Sequence, residues 1–269
     1  MTTLIEPSSA PNASDTAPAA PQIALFLDFD GTLVEIAPSP EDVKLDRRVA
    51  PALAALRGTL GGALALVSGR PIAFLDEMFA PHRFDIAGLH GAQIRLDGEL
   101  HAQSAQPGSL REALRDLVRF ANSHVGILVE DKRVSVALHW RLAPSLEDEA
   151  LALMRRTAAR IGPGVRLQEG KSVAEIVPAD ASKGHAIAWL MAKPAYAGRR
   201  PVFIGDDITD EDGFAAVNAM GGLSVRIGAD RESQAGLRLA SPTALRHILL
   251  EAAENGHLSA DDFARTNQD

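Results

Sequence analysis

The most informative segment of the chain is Ile23-Ala24-Leu25-Phe26-Leu27-Asp28-Phe29-Asp30-Gly31-Thr32-Leu33. It begins as a continuous apolar run, which is typical of a buried strand in a parallel sheet, and it ends in two carboxylates one residue apart. Ligand sites in open α/β sheets lie beyond the carboxyl ends of such strands. We therefore expect Asp28 and Asp30 in a crevice. Because like charges repel at this distance, the pair favours a metal-assisted nucleophile with a neighbouring acid/base.

The Asp28-Phe29-Asp30-Gly31 sequence also resembles the start of a calcium-binding loop. An EF-hand loop would continue with further ligands and a glutamate within about twelve residues, between two helices. Here a strand precedes the motif and the largely apolar stretch from Leu33 to Pro38 follows it, so we set this alternative aside. A strand end with two solvated aspartates stays open as the structural alternative, because a short motif needs confirming context.

Composition limits the class of protein. The 269 residues suffice for one large or two modest domains, and we favour two. A formal charge of −8 without a Lys/Arg block argues against nucleic acid as the main partner, and no apolar stretch approaches the roughly 20 residues that cross a bilayer. Without cysteine there is no disulfide framework, thiolate metal site or cysteine nucleophile, which fits a cytoplasmic enzyme. We expect a monomer.

The order of predicted elements indicates two domains. Strands and helices alternate up to residue 106 and again after Pro178, which predicts a parallel sheet. Between them, helix-strand-strand occurs twice, an αββαββ unit of about the size of a small domain. We predict four regions: a flexible tail over 1–21, a core over 22–106 and 179–257, an inserted domain over 107–178, and a C-terminal tail over 258–269.

A second apolar strand, Pro201–Ile204, also ends in carboxylates, Asp206, Asp207 and Asp210. These acids, or Thr209, could simply cap the helix that follows. Two strands that end in acids are harder to explain by capping alone. An oxygen-rich site with few protein ligands is what Mg²⁺ prefers, so the sequence predicts a magnesium site.

Two further residues offer donors to an anion. Ser68 follows the predicted strand Ala63–Val67, and Lys183 opens the predicted helix Lys183–Met191. A hydroxyl, backbone N–H groups at a helix start and a fixed positive charge would together bind a phosphate. Mg²⁺ and lysine also reduce the repulsion between a carboxylate nucleophile and an anionic phosphate.

These segments resemble, in order, the four motifs of the haloacid dehalogenase superfamily of phosphatases: Asp28-Phe29-Asp30-Gly31-Thr32, Ser68, Lys183 and Gly205-Asp206-Asp207-Ile208-Thr209-Asp210. The resemblance spans nearly all of residues 23 to 227. Further segments are similar to those of the trehalose-6-phosphate phosphatase family: Ser68-Gly69-Arg70, Gly88-Leu89-His90-Gly91-Ala92, Glu130-Asp131-Lys132, His139-Trp140-Arg141 and Gly170-Lys171-Ser172-Val173-Ala174-Glu175.

The resemblance implies a Rossmann-like core with a parallel sheet and an inserted α/β cap domain. It also implies a Mg²⁺-dependent phosphatase that acts through an aspartyl-phosphate, with Asp28 as nucleophile and Asp30 as acid/base. Asp28, the Asp30 backbone carbonyl and Asp206 would bind Mg²⁺, supported by Asp207 and Asp210. Phosphate binding falls to Thr32, Ser68 and Lys183.

Sugar recognition is expected from the cap residues Glu130, Lys132, Arg141, Lys171 and Glu175, and substrate orientation from Arg70 and His90. Strand alternation predicts that Glu130 shares a face with Lys132, and His139 with Arg141. The substrate implied is a small sugar phosphate, trehalose 6-phosphate. Two alternatives stay open: another capped sugar phosphatase, acting on sucrose phosphate or a mannosyl phosphoglycerate, and a sugar-phosphate sensor without catalysis.

Overall fold

The computed structural model describes residues 23–37, 42–102, 107–132, 134–170, 172–228 and 232–264. The predicted N-terminal tail and the predicted sugar-binding residue Lys171 lie outside these ranges. Within them the chain forms two sheets, one of eight strands and one of four. None of the helices in the described ranges has the length and apolar character that crossing a membrane requires.

The large sheet has the strand order β12-β11-β10-β1-β2-β3-β4-β5. Its strands are β1 Ile23–Leu27, β2 Leu64–Val67, β3 Asp85–Gly88, β4 Gln93–Leu96, β5 Glu99–Ala102, β10 Arg200–Gly205, β11 Leu223–Ile227 and β12 Leu237–Leu239. All neighbouring strands from β12 to β3 pair in parallel, whereas β4 and β5 are antiparallel. The mostly parallel α/β core predicted from the sequence is therefore confirmed.

Helices cover both faces of this sheet, because successive β1 side chains point to opposite sides and both sides are apolar. Ile23, Leu25 and Leu27 pack in a layer with α1 Val49–Thr59, α2 Ile72–Met78, α7 Pro242–Asn255 and α8 Asp261–Ala264. Ala24 and Phe26 pack in the other layer with α5 Lys183–Met191 and α6 Glu211–Ala219. The fully buried β1 thus lies at the centre of a three-layer core.

The small sheet lies in a segment outside this three-layer core, Pro107–Pro178, which we call the cap layer. Its elements follow the predicted αββαββ order: α3 Pro107–Ser123, β6 Leu128–Asp131, β7 Val136–His139, α4 Glu147–Ile161, β8 Val165–Gly170 and β9 Val173–Pro178. The strands are antiparallel in the order β6-β7-β9-β8. One face of this sheet packs on α3 and α4 through residues such as Leu138, Ile176 and Leu167.

Two parts of the large domain differ from the sequence prediction. The hairpin β4–β5 was not predicted, although its turn contains Asp97-Gly98, both with positive φ, which is a strong hairpin signal. The predicted C-terminal tail is wrong for residues 258 to 264, because Leu258 and Phe263 are buried in the apolar layer that contains α7. Two apolar side chains in a short segment are a weak sequence signal for burial. Only their packing in the layer that contains α7 shows that the segment belongs to the core.

Candidate active site

The acidic residues predicted to form the site meet at the carboxyl edge of the large sheet. Asp28 and Asp30 follow β1, and Asp206 follows the neighbouring strand β10. Gly31 permits this approach, since it has a φ of 75° and a Cβ there would overlap the Asp206 carboxylate. A single carboxylate oxygen from each of Asp28, Asp206 and Asp210 lies within 4.8 Å of the others. Such a group of hard oxygen donors fits Mg²⁺.

Lys183 lies inside this acidic group. Its Nζ donates hydrogen bonds to Asp28 Oδ1 at 2.8 Å and to Asp210 Oδ1 at 2.6 Å, and only 3% of its side chain is exposed. Burial by itself would lower the pKa of Lys183, but the charges of Asp210 and Asp28 outweigh it and raise that pKa. The amine is therefore a fixed positive charge. Ser182 positions it by capping α5, its hydroxyl accepting from the His185 backbone N–H.

The pKa values of Asp28 and Asp206 depend strongly on this environment. Burial raises the pKa of Asp28 well above its usual value, an effect opposed mainly by the charge of Lys183. Burial, together with the charge of Asp210, raises the pKa of Asp206 to about 6. Both carboxyl groups would be held ionised by a divalent cation, so the electrostatics also favour a bound metal.

Asp210 and Thr32 hold these acids in place. Oδ2 of Asp210 accepts hydrogen bonds from the backbone N–H groups of Asp206 and Asp207, at 3.0 and 2.9 Å. Asp207 begins the turn into α6, where its side chain and that of Asp210 form a capping box. The buried Thr32 Oγ1 lies 3.3 Å from both Asp28 Oδ2 and Asp206 Oδ1. The predicted phosphate ligand Thr32 therefore contacts the carboxylates in this structure.

Ser68 and Arg70 reach the site from the end of β2. Ser68 is buried, borders the cleft, and its Oγ accepts a hydrogen bond from the Arg70 backbone N–H at 3.2 Å. The Arg70 side chain makes a two-point ion pair with Asp30. The sequence predicted that Arg70 orients the substrate. In the structure its guanidinium instead binds Asp30, the predicted acid/base.

His90 lies at the junction of the two layers. Its imidazole packs against Gly69, where a Cβ would overlap the ring, and its Nδ1 is buried without a partner among the described residues. His90 and the preceding Leu89 both have positive φ, at 55° and 50°, a strained conformation for such residues that is often found at functional sites. Burial, followed by the charges of Lys183, Lys132 and Arg166, lowers the pKa of His90 to about 3, so the imidazole is neutral.

A cleft of about 530 Å³ separates the core from the cap layer. On the cap side, Gln168 and Glu175 lie opposite each other on β8 and β9, and both border it. Glu175 is buried and accepts from Lys132 Nζ at 2.9 Å and from the Ser135 hydroxyl. Gln168 and Glu175 therefore face the cleft from the cap side, and Lys132 and Ser135 hold Glu175 in place.

The other predicted cap residues lie nearby in different surroundings. Glu130 is exposed and lies 3.1 Å from His139 Nε2 and 4.0 Å from Lys132 Nζ. The hydrogen bond from His139 lowers the pKa of Glu130 despite partial burial. Arg141 is exposed and follows the end of β7, so the strand alternation that was to pair its side chain with His139 does not extend to it. It does not border the cleft.

Sequence reasoning missed several residues that border the cleft, notably Arg166, Gln168 and Asp212. The first two were detectable in principle. On β8 the apolar residues Val165 and Leu167 alternate with Arg166 and Gln168, which predicts that the polar pair faces away from the helices of the cap layer. Only the position of the sheet over the core shows that this face borders the acidic group.

Comparison with known proteins agrees with this geometry. A family profile described as trehalose-phosphatase matches residues 26–243, most of the chain. The chain belongs to the trehalose-phosphatase family. It is 44% identical over 232 residues to a probable trehalose-phosphate phosphatase of Sinorhizobium fredii, which covers 86% of this chain and 87% of the relative. It is 42% identical over 228 residues to the trehalose-6-phosphate phosphatase of Escherichia coli, covering 84% and 85% of the two chains.

Solved structures show the same fold for this trehalose-phosphatase family member. The C-terminal domain of the Candida albicans trehalose-6-phosphate phosphatase superimposes with a TM-score of 0.73 at 23% identity, over 87% of this chain and 93% of that one. A phosphatase of the haloalkanoate superfamily from Bacteroides thetaiotaomicron gives 0.57 at 18% identity, over 91% and 99%. The predicted fold, a mostly parallel α/β core with an inserted αββαββ unit, is therefore confirmed.

Proposed function

We propose that this protein hydrolyses trehalose 6-phosphate to trehalose and inorganic phosphate, with Mg²⁺ as cofactor. The observation that carries the proposal is Lys183, which lies buried between Asp28 and Asp210 at the floor of a cleft of sugar-phosphate size. Its charge would attract an anionic phosphate and, together with a bound divalent cation, favour the ionised form of Asp28. The names of the relatives from Sinorhizobium fredii and Escherichia coli support the choice of sugar.

Asp28 serves as nucleophile. One of its carboxylate oxygens attacks phosphorus and forms an aspartyl-phosphate, while the bond between phosphorus and the sugar oxygen breaks. Asp30, which for this step has to take up a proton and turn one oxygen away from Arg70, donates that proton to the sugar oxygen. Asp30 then accepts a proton from a water molecule that attacks the aspartyl-phosphate. Inorganic phosphate leaves, and Asp28 and Asp30 return to their starting states.

Asp28, the backbone carbonyl of Asp30 and Asp206 would hold Mg²⁺, with Asp207 and Asp210 supporting them. The bound ion supplies charge neutralisation for phosphate beside a carboxylate nucleophile. Ser68 donates a hydrogen bond from its hydroxyl to the phosphate. Lys183 stabilises the negative charge on the phosphate oxygens.

We infer that the cap layer acts as a separate domain, residues 107–178, which closes on a core formed by 22–106 and 179–264. Closure would remove water from the cleft and bring Glu130, Lys132 and Glu175 to the sugar. The neutral His90 at the junction is suited to a hydrogen bond with a sugar hydroxyl, because it keeps one donor and one acceptor nitrogen. The cytoplasmic location and the monomeric state stay predictions.

The test is phosphate release with Mg²⁺ from a panel of trehalose 6-phosphate, sucrose phosphate, mannosyl phosphoglycerate and glucose 6-phosphate. We expect kcat/KM for trehalose 6-phosphate to exceed that of the others by at least about tenfold, a difference of ~1.4 kcal/mol in barrier. A preference for another sugar would move the protein to a different capped phosphatase. Tight binding of a sugar phosphate without any turnover would instead identify a sensor.

A further inference from the structure

Arg166 is a cation on the cleft for which sequence reasoning found no role. It lies on β8, half-buried, with Val165 and Leu167 on either side of it directed into the apolar core of the cap layer. Strand alternation therefore directs Arg166 away from α3 and α4, and its side chain borders the catalytic cleft. The sugar-phosphate site thus has a guanidinium on its cap side.

Most cations of this region are neutralised by carboxylates. Lys183 contacts Asp28 and Asp210, Arg70 binds Asp30, and Lys132 binds Glu175. Arg166 differs, because among the described residues its guanidinium makes a single hydrogen bond, from Nη2 to the backbone carbonyl of Ala181 at 2.7 Å, and no ion pair. A carbonyl positions a guanidinium without cancelling its charge. Nε and Nη1 keep their hydrogens for another acceptor.

The cleft is otherwise acidic. Among the described residues, seven carboxylate residues border it, against two cationic residues, Lys183 and Arg166. Three of the seven, Asp30, Glu169 and Glu175, pair with cations that do not border the cleft. Because two carboxylates already offset Lys183, an approaching phosphate dianion meets a negative field unless a metal and a free cation oppose it. The charge of Arg166 reaches the catalytic side of the cleft, since it helps to lower the pKa of His90, whose ring packs beside Gly69.

The hydrogen bond to the Ala181 carbonyl also fixes the position of the Arg166 guanidinium. Ala181 is buried in the linker between β9 and α5, two residues before Lys183. A second contact, from the Ala179 N–H to the Gly164 carbonyl, joins the start of β8 to the same linker. Arg166 is therefore held beside the segment that carries the buried lysine.

We propose that Arg166 binds the phosphate group of the substrate, and the phosphate product, from the cap side of the cleft. This inference rests on the proposed function for the identity of the substrate. The guanidinium would donate to phosphate oxygens through one of its two forks, Nη2 with Nε or Nη2 with Nη1, because Nη2 keeps a second hydrogen beside the one it donates to Ala181. The interaction is with the ground state as well as the transition state, so it should act mainly on binding.

Steady-state kinetics with Mg²⁺ and trehalose 6-phosphate test the first part. We expect Arg166→Gln to raise KM about 10- to 100-fold, the effect of one lost hydrogen bond to a charged group, with kcat within about threefold of the parent. Arg166→Lys should recover part of the loss, because it keeps the charge but not the paired donors. Arg156→Gln is the matched control: it removes the same charge from an exposed position on α4 that does not border the cleft, and KM should not change.

Calorimetric titration of inorganic phosphate into the Mg²⁺-loaded protein tests the second part without turnover. The Kd for phosphate should rise in Arg166→Gln by a factor similar to that of KM, and stay constant in Arg156→Gln. An unchanged KM and Kd in Arg166→Gln overturns the proposal. So does a fall in kcat alone, or a loss that Arg166→Lys does not relieve, since both would mean that Arg166 only braces the linker. If the parent does not hydrolyse trehalose 6-phosphate while Arg166→Gln still weakens phosphate binding, the proposed function fails and the phosphate site stands.

Discussion

Arg70 and Asp30 form a two-point ion pair at the mouth of the acidic site. Nε of Arg70 donates to Asp30 Oδ2 at 2.7 Å and Nη2 donates to Oδ1 at 2.8 Å. The guanidinium also lies 4.6 Å above the ring centre of Phe74, which restricts its movement. A planar fork fixes the orientation of a carboxylate more strictly than a single hydrogen bond does. Arg70 therefore sets the direction of the proposed acid/base.

We expect Arg70→Lys to lower kcat for trehalose 6-phosphate about 10- to 100-fold, because lysine keeps the charge but cannot hold both carboxylate oxygens in one plane. Rate measurements on purified variants with equal melting temperatures test this. Arg83→Lys is the control, since Arg83 is exposed and pairs with Asp76, outside the cleft. Full activity in Arg70→Lys would show that Asp30 needs no such support.

Replacement of the nucleophile has a sharper expectation. Asp28→Asn should abolish phosphate release, because an amide is a poor nucleophile and a weaker metal ligand, while circular dichroism should remain that of the parent. Asp148→Asn, at the exposed start of α4, is the matched control and should keep full activity. Activity of Asp28→Asn within about tenfold of the parent, ~1.4 kcal/mol in barrier, would rule out the covalent mechanism.

Metal dependence should be simple to detect. EDTA should remove phosphatase activity and excess Mg²⁺ should restore it, since the carboxylates around Asp28 need a cation to accept a phosphate dianion. Ca²⁺ should inhibit, because its larger and looser coordination would misplace the nucleophile relative to phosphorus. Undiminished turnover in excess EDTA would contradict the metal assignment.

The pKa of Asp206 gives Mg²⁺ binding a pH dependence. That pKa is raised to about 6, so a proton increasingly competes with the cation as the pH falls through this value, and Mg²⁺ affinity should drop up to about tenfold per pH unit below it. In the metal-free protein the raised pKa of Asp206 lowers the free energy of unfolding as the pH rises, because the folded state binds the proton more tightly than the unfolded state does. It makes this group's contribution less favourable as the pH rises from about 4 to about 6.

Because protons compete with Mg²⁺ at low pH, Mg²⁺ should raise the melting temperature more at pH 7.5 than at pH 5. Differential scanning calorimetry with and without Mg²⁺ measures this difference. In Asp206→Asn the shift should be small at both pH values, because the titrating ligand is absent. An equal Mg²⁺ shift at pH 5 and pH 7.5 in the parent would show that Asp206 is not a metal ligand with this pKa.

Specificity for the sugar should depend on the cap layer. Glu130→Ala, Lys132→Ala and Glu175→Gln should lower kcat/KM for trehalose 6-phosphate roughly 10- to 1000-fold, about one or two lost charge-assisted hydrogen bonds. A small aryl phosphate, which cannot reach the cap layer, should lose much less. We choose glutamine at position 175 because Glu175 is buried against Lys132, and its truncation would leave a buried charge unpaired.

The matched control for these variants is Glu149→Ala, which removes an exposed carboxylate from the helical side of the cap layer. It should leave both substrates unaffected. Equal losses on the sugar phosphate and the aryl phosphate in Lys132→Ala would mean that Lys132 supports folding or closure and does not contact the sugar.

Local sequence patterns predicted the elements that carry strong signals. The apolar run Ile23–Leu27 is the central strand, and the helix expected to open at Lys183 begins there, capped by Ser182. The hairpin β4–β5 was missed although both strands alternate polar and apolar residues, because each is only four residues long and the pair lies at the edge of the sheet. Arg141 was placed on a strand that ends two residues earlier, at His139. Strand ends depend on neighbouring strands that a single segment does not reveal.

Residue types and their spacing along the chain were enough to predict the kind of site that this protein carries. Two apolar strands that end in aspartates, with a serine and a lysine at later element ends, specify an acidic phosphate site wherever a parallel sheet brings the strand ends together. The partners of these side chains depend on how the elements pack in three dimensions. Arg70 binds Asp30 across 40 residues, Lys132 binds Glu175 across 43, and Arg166 donates to the Ala181 carbonyl across 15. The reason is physical, because periodicity reports which face of an element is buried, whereas the packing of one layer on another decides which charge is left without a partner.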